Sequence, residues 1–194
     1  MGSRETVRDA LKKYSVSFAQ PGQEFTLASG EKSNVYVDVK KTAMHHSIHH
    51  ALAMLLYESI QDIPFLGVDT VAGVVVGGCH LASLVGLYSA MLGRPGVVPF
   101  DVVYVRKEAK DHGTKNLVEF PATMVHDAPR RRALLIEDVV TTGGSTMKAA
   151  AQLRALRYEV PGVLAVIDRR VVRKPRLDDG TAVRALFTLD EFNV

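Results

Sequence analysis

The residues with the most chemistry to offer stand in one run, Leu134-Leu135-Ile136-Glu137-Asp138-Val139-Val140-Thr141-Thr142-Gly143-Gly144-Ser145. An apolar stretch with the character of a buried strand ends in two carboxylates, and a hydroxyl- and glycine-rich turn then opens a helix. Such a turn exposes several backbone N–H groups, and the helix N-terminus adds partial positive charge, so it suits a phosphate. Thr141, Thr142 and Ser145 add hydroxyl donors. The run is not a P-loop, because no Gly-Lys-Ser/Thr follows, and it is not the Gly-x-Gly-x-x-Gly dinucleotide turn. Glu137 and Asp138 would repel a phosphate, so they make sense only if they hold sugar hydroxyls or a magnesium ion. A sugar phosphate satisfies both halves of the run. An ordinary strand–turn–helix with Ser145 as its cap is the plainer reading, but a cap needs no adjacent acids.

A second run, Arg106-Lys107-Glu108-Ala109-Lys110-Asp111-His112-Gly113, packs three fixed cations and one titratable donor close together and ends in a glycine that permits bending. A loop of this kind can close over a polyanion and neutralise charge as it develops, although charge runs are more often solvated faces. Arg169 and Arg170 directly follow an apolar run, so one of them is expected to point into a site at its end. Arg173, Lys174, Arg176 and the tripeptide Arg130–Arg132 read as solvent-facing. His45-His46-Ser47-Ile48-His49-His50 offers i, i+4 histidine pairs on a helix, a spacing that can bind zinc, but no His-Glu-x-x-His or third ligand accompanies them, so no metal-ligating residue is assigned. Cys79 has no base partner in view and reads as a small buried residue.

These residues need elements to position them. Arg4–Tyr14 has apolar residues at i, i+3, i+4, i+7 and reads as an amphipathic helix. Phe25–Leu27 and Val35–Val39 read as short strands around Ser29-Gly30, and His46–Ile60 as a long helix. Beyond Pro64 come four β-branched runs, Val71–Val76, Val102–Val105, Ala133–Ile136 and Val163–Ile167, with helical patterns at about His80–Leu92 and Ser145–Arg157. Apolar strands alternating with helices indicate an α/β fold, a parallel sheet covered on both faces. Ligands bind such sheets at the carboxyl ends of the strands, where Gly77-Gly78, the Arg106 loop, the Glu137–Ser145 run and Arg169 all fall. The expectation is one domain over residues 1–194, a small N-terminal hood over 1–45 and an α/β core with the C-terminal segment over 46–194.

Composition narrows the class further. The chain has 194 residues, 47% hydrophobic and 23% charged, which excludes a disordered or low-complexity protein. A net charge of +3 does not argue for nucleic acid and fits an anionic small molecule equally well. One cysteine excludes an internal disulfide. Ala72–Leu92 carries no formal charge, but Gly77-Gly78 and His80 interrupt it, so a strand, a glycine turn and a helix explain it better than a membrane span. With no basic-then-apolar leader at Met1–Tyr14, the cytoplasm is the expected location.

The Glu137–Ser145 run resembles the phosphoribosyl pyrophosphate motif of the type I phosphoribosyltransferases. Arg106–Gly113 is similar to the catalytic loop of the orotate-specific family among them, Phe25–Ser33 to its N-terminal segment, and Val166-Ile167-Asp168-Arg169 to the strand end that carries its orotate-binding arginine. Together the four segments span most of the chain in the right order. The resemblance implies a type I phosphoribosyltransferase fold with an N-terminal hood. It further implies transfer of a 5-phosphoribosyl group from phosphoribosyl pyrophosphate to orotate, in pyrimidine synthesis, with Mg2+ as cofactor. Glu137 and Asp138 would hold the ribose hydroxyls, and the segment Val139, Val140, Thr141, Thr142, Gly143, Gly144 and Ser145 the rest of the phosphoribosyl group. Thr141 would also reach the base pocket, and Arg169 would pair with the orotate carboxylate. Arg106, Lys107, Lys110 and His112 would stabilise the departing pyrophosphate, in a homodimer whose 106–113 loop serves the neighbouring site. Ala28 and Gly77-Gly78-Cys79-His80 depart from the pattern: many bacterial members have lysine at the first, and some have a lysine or an acidic residue and then Gly-Ile-Pro-Leu-Ala near the second. Transfer to another base, or a non-catalytic regulator that senses phosphoribosyl pyrophosphate, stays open, but no helix-turn-helix or long basic face supports the regulator.

Overall fold

The computed structural model describes residues 2–26, 30–61, 65, 67–93, 98–106, 117–121 and 131–192. Its centre is a six-stranded sheet built from β5 (Thr70–Val74), β6 (Asp101–Val105), β7 (Val118–Glu119), β8 (Ala133–Val140), β9 (Gly162–Asp168) and β10 (Ala182–Thr188). The spatial order is β10-β9-β8-β5-β6-β7, parallel throughout except for the antiparallel edge strand β7. Before the sheet come α1 (Ser3–Tyr14), β1 (Val16–Phe18), β2 (Phe25–Thr26), β3 (Lys32–Ser33), β4 (Val35–Val37), α2 (Val39–Ala43) and α3 (His49–Gln61). Two further helices, α4 (Gly77–Met91) and α5 (Gly144–Ala155), follow β5 and β8.

Period-two alternation along β8 decides which helix each of its side chains meets. Leu134 and Ile136 join an apolar cluster with Leu81 and Val85 of α4, Leu52 and Leu56 of α3, and Val7 and Leu11 of α1. Ala133 and Leu135 face the other way, onto Ala149, Ala150 and Leu153 of α5. The sheet is therefore covered on both faces, as the unbroken apolar runs require. From β5 the chain crosses by α4 to β6 on one side, whereas β8 lies on the other side of β5 and leaves by α5 toward β9. The crevice between the carboxyl ends of β5 and β8 is thus a topological switch point, the place where open α/β sheets bind ligands.

Several expected boundaries move. Phe25–Thr26 pairs with Lys32–Ser33, while Val35–Val37 pairs with β1, a strand too short to leave a pattern. Gly77-Gly78 is the first turn of α4 rather than a separate glycine turn: a Cβ on Gly78 would overlap the Ile136 carbonyl, and one on Gly77 the Asp138 carboxylate. The histidine cluster does not share a helix, since α3 begins only at His49. His45 instead stacks between Tyr14 and His46, at 5.3 and 5.0 Å between ring centroids, and His50 meets the edge of Tyr88. Among the described residues no group of His, Cys, Asp and Glu can hold a metal ion. Arg131 and Arg132 are not simply solvated, because they pair with Asp101 at 2.6 Å and Glu159 at 3.1 Å; Arg130 lies outside the described residues. Among the described residues no helix is long and apolar enough to cross a membrane.

Candidate active site

Because Glu137 and Asp138 are neighbours on one strand, the pleat sends their side chains to opposite faces. Glu137 is buried on the α5 side, where its Oε1 accepts hydrogen bonds from Ser145 Oγ and Thr146 Oγ1, each at 3.3 Å. Asp138 lies on the α4 side against Gly77, and its Oδ1 accepts the backbone N–H of Val139 at 2.9 Å. The two acids therefore flank the crevice, one anchoring the turn and the other lining the first turn of α4. Thr146 escaped the sequence reading; its place one helical step beyond Ser145, on the buried side of α5, is the signal that was there to find.

Between the acids and α5 the chain turns through Thr141 and Thr142, both exposed, and Gly143. Gly143 has φ +81°, a left-handed conformation that only glycine adopts without strain, and a Cβ there would also overlap the Leu177 side chain. It is the N-cap of α5 and has no side chain of its own to cap the helix; Thr142 Oγ1 accepts the N–H of Gly144 at 3.4 Å. Ser145 is not the cap; it sits inside the helix and donates to Glu137 instead. A helix N-terminus beside two exposed threonine hydroxyls can bind an anion.

The end of β9 lies beside this turn, tied by the backbone bond from Arg169 N–H to the Val140 carbonyl at 2.8 Å. Of the two arginines there, Arg170 is structural. Its guanidinium grips the Asp168 carboxylate with Nε 3.0 Å from Oδ1 and Nη2 2.8 Å from Oδ2, and also donates to the Lys174 carbonyl at 2.9 Å. Burial pushes the Asp168 pKa up, but the hydrogen bonds and charge of Arg170 outweigh it and hold the carboxyl below its ordinary value. Arg169 is only half-buried and reaches the N-terminal segment, donating from Nη2 to Ser33 Oγ at 3.1 Å. Ser33 is the second residue that sequence alone did not single out.

Arg106 forms the stem of the cationic loop. Its backbone N–H donates to the Leu117 carbonyl at 2.7 Å, and its guanidinium pairs with Glu119 of β7 at 2.9 Å. Lys107, Lys110 and His112 lie outside the described residues, as does Ala28. Cys79 is half-buried rather than buried, and burial pushes its thiol up to about 11, with the Arg106 charge opposing and the Glu137 charge reinforcing that shift, which disfavours the thiolate.

A parallel sheet whose switch point joins a carboxylate-bearing strand end to a helix N-terminus is the arrangement that the resemblance to the type I phosphoribosyltransferases implies. No family model matches the chain. It is 41% identical over 153 residues to the orotate phosphoribosyltransferase of Sorangium cellulosum, covering 79% of this chain and 74% of that protein. It is 33% identical to the enzyme of the same name from Synechocystis, over 95% of this chain and 88% of the relative. In structure it resembles Mycobacterium tuberculosis orotate phosphoribosyltransferase crystallised with Fe(III) dicitrate, with a TM-score of 0.72 at 26% identity over 99% of both chains. The chain belongs to the orotate phosphoribosyltransferase family.

Proposed function

We propose that the crevice between β5 and β8 transfers the 5-phosphoribosyl group of phosphoribosyl pyrophosphate to orotate, giving orotidine 5′-monophosphate and pyrophosphate. The observation that carries this reading is the Glu137–Ser145 segment: two acids on opposite faces of one strand end, followed by an anion-binding helix N-terminus at the switch point. Asp138 and Glu137 accept hydrogen bonds from the ribose hydroxyls. The N–H groups and hydroxyls from Thr141 to Ser145 hold the 5′-phosphate, where the helix dipole favours negative charge. Arg169, steered by Ser33, presents a planar guanidinium to the orotate carboxylate.

In the reaction a ring nitrogen of orotate forms the new bond to the anomeric carbon and gives up its proton to the departing pyrophosphate or to solvent, while the bond from that carbon to the pyrophosphate oxygen breaks. Positive charge develops on the sugar and negative charge on the leaving group. Arg106 together with Lys107, Lys110 and His112 stabilises that negative charge. Among the described residues no cluster of side chains offers to hold a metal ion, which suits Mg2+ brought in by the substrate, an ion that takes its ligands largely from substrate phosphates and water. Bound with the substrate, Mg2+ would supply charge neutralisation of the departing pyrophosphate. In this reading the protein works as a cytoplasmic homodimer, and the 106–113 loop of each chain completes the neighbouring site.

A panel of bases assayed for pyrophosphate release, with and without Mg2+, tests the reading. Orotate is expected to support release only with Mg2+, with adenine, guanine and hypoxanthine poor substrates. Brisk release with a purine and none with orotate would overturn it.

A further inference from the structure

The transfer reaction as described gives Glu119 no part, yet this residue grips Arg106, the one member of the leaving-group set among the described residues. β7 pairs antiparallel with the end of β6, Glu119 opposite Tyr104 and Val118 opposite Val105. Residues directly opposite in such a pair send their side chains to one face. On that face Tyr104 OH lies 2.5 Å from Ser83 Oγ of α4, so Glu119 stands on the α4 side of the sheet. Arg106 follows β6 at once, and its backbone N–H donates to the Leu117 carbonyl at 2.7 Å. The Val105 carbonyl accepts the N–H of Val75 at 2.9 Å, which holds Arg106 at the carboxyl edge of the sheet, where the crevice opens. Glu119 takes only the inner edge of the guanidinium: its Oε1 accepts the Nε–H hydrogen bond at 3.0 Å, and Nη2 lies 2.9 Å from the same oxygen. That leaves Nη1 and the outer N–H of Nη2, the end of the planar fork, to engage a second anion. The Arg106 side chain is 31% exposed, so a substrate can reach that end.

We propose that Glu119 is a positioning residue: by gripping the inner edge of Arg106 it fixes the guanidinium so that the outer end meets the pyrophosphate as it leaves. An untethered arginine loses much rotamer freedom when it engages an anion, and Glu119 removes that cost before the reaction begins. The backbone bond to Leu117 and the side-chain bond to Glu119 come from one short segment, so β7 and the residue before it orient Arg106 at both ends. The anchor acts through geometry, not charge, because a carboxylate by itself opposes a nearby phosphate. This inference rests on the leaving-group role given to Arg106 above.

Single-turnover rates with orotate, phosphoribosyl pyrophosphate and Mg2+, which leave product release out, separate the possibilities. Glu119→Ala is expected to slow transfer about tenfold and to keep the KM for orotate within about twofold, because charge on the leaving group develops only in the transition state. Glu119→Gln retains an acceptor oxygen and is expected to stay within about threefold of the wild type. In an Arg106→Ala background, Glu119→Ala should slow transfer no further, whereas a mere loosening of β7 would persist there. Unchanged or faster transfer in Glu119→Ala, a glutamine variant as slow as the alanine one, or the full loss repeated in the Arg106→Ala background would each overturn the proposal. Arg106→Ala with the wild-type rate would instead overturn the role given to Arg106, and wild-type protein inert toward orotate the reading of the site itself. Should Glu119→Ala fail to fold, Glu119→Val, better suited to a strand, carries the same comparison.

Discussion

At the scale of single residues, the site divides its two arginines between structure and substrate. Arg170 and Asp168 form a buried, doubly hydrogen-bonded pair, so removing one partner leaves an uncompensated charge. Arg170→Met is expected to destabilise the fold by about 3–5 kcal/mol at pH 7, read from denaturant unfolding. The Asp168 carboxyl is held below its ordinary value of 3.8, so its contribution is present above that pH and is lost as pH falls through the lower folded value. The gap between wild type and Arg170→Met should therefore close on acidification below pH 3.8; a constant gap would deny the pair that role. Arg169→Ala, by contrast, should leave stability nearly unchanged and raise the KM for orotate about ten- to a hundredfold, the worth of a charged hydrogen bond, with little change for phosphoribosyl pyrophosphate. Equal KM increases for both substrates would remove Arg169 from the base pocket. Sequence placed both arginines after a strand, but only the structure shows which one Asp168 claims.

At the scale of elements, the turn into α5 carries the largest local constraint. Gly143→Ala must place a Cβ at φ +81° and displace Leu177, so it is expected to cost about 1–2 kcal/mol from the backbone alone and to weaken substrate binding at the helix N-terminus. An alanine variant with wild-type stability and affinity would show that the turn tolerates another shape. The strand–turn–helix was legible because apolar run, acids, glycines and helix periodicity follow one another in the chain. Less was legible where packing decides. Two adjacent glycines read as a break, since glycine is a poor helix former; they begin α4 because β8 approaches too closely for side chains. β10 was missed because it is an edge strand whose Arg184 and half-exposed neighbours blur the apolar pattern, and β7 is only two residues long. The contact of Ser33 with Arg169 joins positions 136 residues apart, and no local pattern can announce it.

At the scale of the whole molecule, the sheet order makes the site: reversing direction between β5 and β8 opens a crevice into which both neighbouring turns deliver their polar residues. If the cationic loop serves a neighbouring copy, two inactive variants should complement each other. After subunit exchange between Lys110→Ala and Asp138→Asn, half the dimers are mixed and each holds one intact site, so roughly a quarter of all sites should regain activity. No recovery, with exchange verified, would mean that each site is built from one chain. The location of the site itself is tested most directly by amide hydrogen exchange with and without phosphoribosyl pyrophosphate and Mg2+. Protection is expected in residues 137–147 and 76–79, at the carboxyl ends of β8 and β5. Protection confined to the opposite edge, around 68–70 and 131–133, or no protection at all, would contradict the account.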